Sequence, residues 1–470
     1  MRKLKFSPST RIILADTVTP VSIYLRLRTL YPNAILLESS DYHGHENAWS
    51  FVCFNPVACF TVNKGKVTKE VAGRESQSFY LSENRKLDNE LDTFFKMFEA
   101  TPGAAPLPAN GLFGYISYDA VQYFSNIRFS KKEKDEYRIP EVKYCFYKYI
   151  IGIDHHKNRI HIVENLTNGD ASQIDHIHHL LINLNFSTGK FKTLNGETSN
   201  ITDPEYIQMV ARGKEDCLQN EISQIVLSRQ FSIDFEGDEF NIYRALRSIN
   251  PSPYLFFFDY GDYRIFGSSP EAELRIKNNK AYIHPIAGTF RRTGNDEQDR
   301  ELARQISNDP KENAEHKMLV DLACEELGKN SQNVLVEAFR EVQFYSHVIH
   351  LVSRVSGEIT NDTNLIKVLG ETFPAGTLSG APKQKALALI DKYENQNRGF
   401  YGGCIGYLGF DRVVNHAIII RSFLSKNNRL YYQAGAGIVA GSNEESELQE
   451  VNNKLAALRA AIDMAQNIHV

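Results

Sequence analysis

No stretch of this 470-residue chain approaches the ~20 consecutive apolar residues that a membrane-crossing helix requires. Its basic start, MRKLKFSPSTRII, has no long apolar segment behind it that would act as a signal. The expected location is therefore cytoplasmic. An excess of one charge is also missing: 53 Lys and Arg stand against 57 Asp and Glu, a net charge of −4. That balance gives no electrostatic reason to expect nucleic acid or an anionic membrane as partner. Cysteine is sparse, and Cys53, Cys59, Cys145, Cys217, Cys324 and Cys404 form no CxxC pair. Neither a zinc site nor a disulfide framework is indicated, so all six read as small buried side chains. What remains is ordinary globular material, 42% hydrophobic and 23% charged, in a chain long enough for two or three domains.

Residues 1–186 read as an N-terminal region built mainly of strands, with helices at about 20–31 and 86–99. The segments 34–38 and 49–60 are apolar enough for buried strands, and 144–153 with 159–163 flank a polar turn as a hairpin. A polar stretch rich in Gly, Ser, Thr and Asn then marks a linker at 187–202. The remainder, 203–470, opens with a helix whose cap lies at or near Asp203, with Pro204 in its first turn. Short strands follow at 225–235, 254–260, 263–267, 272–277 and 281–286, then a helix carrying Met318 and Leu322. A hairpin of 417–424 with 429–433 and a helix over about 446–464 close the chain. The class is α+β, with large antiparallel sheets and peripheral helices.

Several features in the C-terminal region can carry chemistry. Gly435 and Gly437, with Ala436 between them, end an apolar strand. They read either as a flexible turn or as a nest of inward N–H groups for an anion. Arg421 interrupts the apolar run 417–423 and needs either an internal carboxylate partner or a bound anion. Glu315 lies near the start of one helix, and Glu447 and Glu450 lie one turn apart on another. Such carboxylates complement helix dipoles, or, converging from two helices, hold magnesium. His350, inside an apolar run, is either a satisfied core residue or an acid–base group.

The order of motifs is more specific than any one of them. Ile225-Val-Leu-Ser-Arg229, Gly267-Ser-Ser-Pro-Glu271, Pro285-Ile-Ala-Gly-Thr289, Ala314-Glu-His-Lys-Met-Leu-Val-Asp321, His350-Leu-Val-Ser-Arg354, Phe373-Pro-Ala-Gly-Thr-Leu-Ser-Gly-Ala-Pro-Lys383 and Gln433–Val439 follow one another over about 260 residues. In this the region resembles the chorismate-utilising enzymes: anthranilate, aminodeoxychorismate, isochorismate and salicylate synthases. The resemblance implies antiparallel sheets packed as a sandwich with helices outside, and Mg2+ as cofactor. It implies that Glu315 and Glu450 hold the metal with Glu447 close by. Tyr401, Arg421 and the amides around Gly435, Ala436 and Gly437 would then clamp the enolpyruvyl carboxylate. Glu271 would assist departure of the ring hydroxyl, His350 would serve pyruvate elimination, and Thr377, Gly288 and Thr289 would line the ring pocket.

Three positions choose among the family's reactions. Isochorismate and salicylate synthases usually carry lysine where this chain has Gln224, which has no basic nitrogen to activate water. Many aminodeoxychorismate synthases carry a ring-attacking lysine where this chain has Ala287. Direct attack by ammonia on chorismate, releasing anthranilate and pyruvate, is the implied reaction. Aminodeoxychorismate synthesis for folate is the alternative, and a non-catalytic tryptophan sensor a more remote one. The third discriminator is Leu36-Leu37-Glu38-Ser39, which resembles one wall of the tryptophan pocket of feedback-inhibited large subunits. Asn250, Pro251, Ser252, Tyr254, Leu255 and Phe256 resemble the other wall. No glutamine amidotransferase domain fits in 470 residues already taken up by these two regions, so a separate glutamine amidotransferase small subunit is the implied partner. The chain departs from the family's Asp-Leu-Ala-Arg-Asn-Asp with Asp321-Leu-Ala-Cys-Glu-Glu326, and from Arg-Thr with Arg421-Ser422.

Overall fold

Two long strands, Trp49–Asn63 and Val142–Asp154, organise the molecule by belonging to two sheets at once. Their pairing shifts register between Pro56 and Ala58. On one side of that irregularity residues 51–53 pair with Ile35–Glu38, and on the other residues 58–63 pair with Lys66–Val71. Strands that bend in this way form the corner of a sandwich. This computed structural model describes residues 3–39, 48–101, 110–130, 134–167, 169–344 and 348–468.

The first sheet runs in the order Leu4–Leu14, Arg159–Thr167, the last part of Val142–Asp154, the first part of Trp49–Asn63, Ile35–Glu38, Tyr254–Asp259, Tyr263–Ser269, Ser422–Lys426, Arg429–Ile438 and Gln224–Gly237. The second includes Gly111–Ile116, Cys404–Gly409, Val414–Ile418, Ala272–Lys277, Lys280–Ile283, Val348–Glu358 and Gln332–Phe344. Among the described strands only the contact of Leu4–Leu14 with Phe98–Ala100 is parallel. The α+β sandwich with outer helices is thus the observed architecture.

Side-chain alternation assigns the layers. Phe256 and Phe258 join Phe113, Tyr115, Ile405 and Leu424 between the sheets. Their neighbours Leu255 and Phe257 face the other way, packing with Tyr24, Tyr243 and Leu455 from Pro20–Leu27, Phe240–Ile249 and Glu444–Gln466. On the far side, Leu274, Ile276 and Val355 pack with Val320, Leu369 and Leu387 of the helices Pro310–Gly328, Leu365–Thr372 and Lys383–Tyr393. No helix among the described residues is long and apolar enough to cross a membrane.

Four local expectations change. The helix at 203 is capped by Thr202, whose side chain accepts from the Glu205 amide in a reciprocal capping box. The polar stretch 187–202 carries two short strands, Phe191–Thr193 and Thr198–Ser199, both paired with Gln224–Gly237. The run 417–424 is not one strand. It leaves the second sheet after Ile418 and enters the first at Ser422. Finally, Cys59 and Cys145 form a disulfide, because the corner-strand register sets them directly opposite each other with Cα atoms 4.1 Å apart. The other four cysteines are free, and Cys53, Cys217 and Cys404 are buried.

Candidate active site

The site forms where two neighbouring chain segments pass from one sheet to the other. Pro270–Glu271 joins Tyr263–Ser269 to Ala272–Lys277, and residues 419–421 join Val414–Ile418 to Ser422–Lys426. The crossings are tied together, since Ser268 N–H donates to the Arg421 carbonyl at 3.1 Å and Ile418 N–H donates to the Glu271 carbonyl at 3.0 Å. Arg421 has φ +48°, the left-handed conformation that turns the chain between sheets. Among the described residues no carboxylate pairs with its guanidinium, so the internal-salt-bridge reading falls away. Burial instead lowers the Arg421 pKa, opposed by nearby Glu271.

Glu271 is buried, and the Thr377 hydroxyl, on the short turn Gly376–Leu378, donates to its Oε1 at 3.1 Å. Burial pushes the Glu271 carboxyl up to about 8, against the opposing pull of Thr377, Lys454 and Arg421. At neutral pH it holds a proton. His350 is buried on Val348–Glu358, with Nδ1 3.3 Å from the Gly288 carbonyl. That assigns the proton to Nδ1, by geometry. Gly288 supplies the carbonyl because it sits at a bulge between Ala287 and Thr289 with φ +64°. Burial lowers the ring to about 4, with the Gly288 contact raising it and Arg421 lowering it further, so the imidazole is neutral at pH 7. Ala287 and Thr289 lie on the strand Ile286–Arg291, but their side chains are outside the described residues.

A second group gathers at the end of Arg429–Ile438. Gln224 Nε2 donates to Glu315 Oε1 at 2.7 Å. Lys454 reaches the Gly435 carbonyl at 2.8 Å and Glu450 Oε1 at 2.7 Å. Tyr401 is buried with its hydroxyl against the Gly435 backbone; burial raises its pKa, and Glu450 is among the smaller contributors. Glu447 is buried one turn from Glu450. The expected nest is not formed. Gly435, Ala436 and Gly437 continue a regular strand opposite Ser228, Leu227 and Val226, and neither glycine has positive φ. Glycine is needed at 437 for space: a Cβ there would stand 2.7 Å from Gln224 Nε2 and 3.4 Å from Glu315 Oε1. Lys454 escaped the sequence reading, although its place four residues after Glu450 is a helical pairing signal.

The donor set suits a magnesium ion shared with substrate. Glu315 and Glu450 come from two helices onto one strand end, and the Gln224 amide occupies one Glu315 oxygen while its own Oε1 has no hydrogen-bond partner. Among the described residues no three acidic, histidine or cysteine side chains form a closed metal cage. Magnesium commonly takes one or two carboxylates together with substrate oxygens and water.

The segments expected to form a tryptophan pocket are also adjacent. Leu37 pairs with Phe256 and Glu38 with Leu255, which carries Ser39 toward Tyr254 and the 250–252 turn. Glu38 is buried, held by Arg247 Nε at 2.9 Å and by the Tyr243 hydroxyl at 2.6 Å. The Asn250 carbonyl accepts from the Ser268 hydroxyl. Ser268 is also the residue whose amide meets Arg421, so two hydrogen bonds link this region to the site.

Comparison with known proteins agrees with that geometry. A family profile described as chorismate binding enzyme matches residues 32–460. Anthranilate synthase component 1 of Acetivibrio thermocellus is 35% identical, over 98% of this chain and 96% of that protein. The Aquifex aeolicus protein of the same name is 34% identical over 97% and 94%. Anthranilate synthase component I from Streptococcus pneumoniae superposes with a TM-score of 0.75 at 31% identity, over 96% of this chain and 99% of that one. The menaquinone-specific isochorismate synthase of Escherichia coli shares the fold at 20% identity, TM-score 0.73, over 98% of this chain and 96% of that one. The chain belongs to the chorismate-binding enzymes.

Proposed function

We propose that this chain is the chorismate-binding component of an anthranilate synthase, converting chorismate and ammonia to anthranilate and pyruvate at the start of tryptophan biosynthesis. The observation that carries the reading is Arg421, a buried guanidinium that no carboxylate among the described residues pairs with, set beside a buried Glu271 whose carboxyl burial keeps protonated. A dicarboxylate substrate supplies what Arg421 lacks, and a leaving hydroxyl uses what Glu271 holds. Arg421 and Tyr401 bind the enolpyruvyl carboxylate, with the strand at Gly435, Ala436 and Gly437 as the floor. Glu315 and Glu450, with Glu447 close by, would hold Mg2+. When bound, the ion supplies positive charge that polarises the ring system. Thr377 orients Glu271, which gives its proton to the departing ring hydroxyl. His350, neutral at pH 7, accepts a proton during pyruvate elimination.

Ammonia is the nucleophile in this account. Gln224 is neutral and engaged with Glu315, so it does not activate water, and alanine at 287 forms no covalent intermediate. A separate glutaminase subunit supplies ammonia in the cell. Tryptophan, bound between Leu37–Ser39 and Asn250–Phe256, inhibits by preferring a less active arrangement. The test is turnover of chorismate by the chain alone with Mg2+ and an ammonium salt. One pyruvate per chorismate is expected with ammonium and none with glutamine. Consumption of chorismate without pyruvate release would overturn the proposal.

A further inference from the structure

Beneath Glu271 lies a second buried carboxyl to which the reaction just described gives no task. Glu273 is 2% exposed. Among the described residues neither of its oxygens makes a hydrogen bond, and the Ala375 amide approaches without reaching bonding geometry. Glu271 stands just before the strand Ala272–Lys277, and Glu273 sits at its irregularity between Ala272 and Leu274. Both line one cavity of ≈ 30 Å³, together with Glu326, Thr372 and Thr377. An unpaired buried carboxyl is costly to keep, which makes its retention here informative.

The charges around Glu273 come from three elements. Lys383 is committed elsewhere: it pairs with Glu326 at 2.5 Å and donates to the Thr372 carbonyl at 2.7 Å. Glu326, on Pro310–Gly328, is part of the Cys324-Glu325-Glu326 departure from the family pattern. Glu271 lies above, and the buried Cys404 thiol also feels Glu273. Arg421 and Lys454 face Glu271 and Lys383 is paired with Glu326, which leaves Glu273 without an ion-pair partner among the described residues. Burial, with the negative neighbours, pushes Glu273 up to about 8. The cavity is polar on the carboxyl side and roomy enough for bridging water.

Resting on the reading of Glu271 as the leaving-group acid, we propose that Glu273 is a positioning residue that stores a proton in this cavity and returns it to Glu271 after each turnover. Glu271 gives its proton to the departing hydroxyl, which leaves as water, and becomes a carboxylate. The newly bonded nitrogen sheds one proton to solvent. Glu273 passes its proton through cavity water to Glu271 and takes one back from solvent, so the cycle neither consumes nor releases a proton.

The experiment uses the full chain with chorismate, Mg2+ and ammonium, measuring the first turnover by rapid quench and later turnovers at steady state. In Glu273→Gln the first turnover stays within about twofold of wild type, because Glu271 starts protonated. Steady-state turnover falls roughly 10²-fold, the low end of what a positioned proton donor contributes. The solvent deuterium effect on kcat rises, kcat/KM for chorismate is unchanged because KM falls with kcat, and Glu273→Asp recovers part of the rate. Should the Gln variant fold poorly, Glu273→Leu fills the same space without a buried polar group and gives the same burst. Equal slowing of the first and later turnovers, or wild-type steady-state rates in the Gln or Leu variant, overturns the proposal. Glu271→Gln is the separate control: a variant that still expels the hydroxyl at the wild-type rate sinks the role of Glu271 itself, whatever Glu273 does.

Discussion

Replacing Glu271 by glutamine should change the pH dependence of stability as well as activity. The carboxyl is buried and its pKa rises from 4.5 to about 8. A carboxyl whose folded pKa lies above its unfolded value stabilises most below the unfolded value, and that stability is lost as pH rises through the folded one. Between pH 4.5 and 8 the unfolded chain has released the proton and the folded chain has not. Stability therefore falls by about 1.4 kcal/mol per pH unit over that window. The total is roughly 5 kcal/mol, a large share of the ~5–15 kcal/mol that holds a typical protein folded. Glutamine keeps the shape and accepts the Thr377 hydrogen bond but has no proton to retain. Urea unfolding of both proteins at several pH values from 5 to 9 is the assay. The variant should gain on wild type by about 1.4 kcal/mol per pH unit up to pH 8 and then run parallel to it. Parallel curves across the whole range would refute a buried, protonated Glu271.

Glu450→Gln should leave the fold intact and abolish nearly all turnover, since it removes one of two carboxylates offered to magnesium; activity near wild type at every Mg2+ concentration would exclude ligation by Glu450. His350→Ala should release the aminated, pyruvyl-bearing intermediate instead of anthranilate, seen by chromatography of quenched reactions. Equal loss of both steps would make His350 structural. Ser39→Phe should relieve tryptophan inhibition with little change in the uninhibited rate. The check is ammonia-dependent activity against tryptophan concentration, and a wild type indifferent to millimolar tryptophan would remove the regulatory reading.

Much of this was legible along the chain because it is local. The short apolar run 254–260 beside a polar turn announces an antiparallel strand, and seven motifs in order announce the family. What was hidden depends on which segments lie side by side. Cys59 and Cys145 are 86 residues apart, and only the corner-strand register makes them a pair. The run 417–424 looks continuous because Ile418 and Phe423 are both buried, in different layers. Nothing apolar marks where the chain changes sheets; only the charge of Arg421 does. The alternating glycines read as a turn or a nest, yet Gly437 stands against Gln224 and Glu315, and Gly435 against Leu227 and Ser228, contacts from distant elements. Glu273 carries no mark in the sequence, because its burial beside Glu271 depends on how the sheets and helices close over it.

The most direct test of the central claim is the identity of the ring product when the chain alone meets chorismate, Mg2+ and ammonium. Gln224 engaged with Glu315 and alanine at 287 leave ammonia to attack the ring itself, with pyruvate then eliminated. The account predicts 2-aminobenzoate and pyruvate in equal amounts, resolved by chromatography against authentic isomers. Formation of 4-amino-4-deoxychorismate, or of isochorismate, would contradict it.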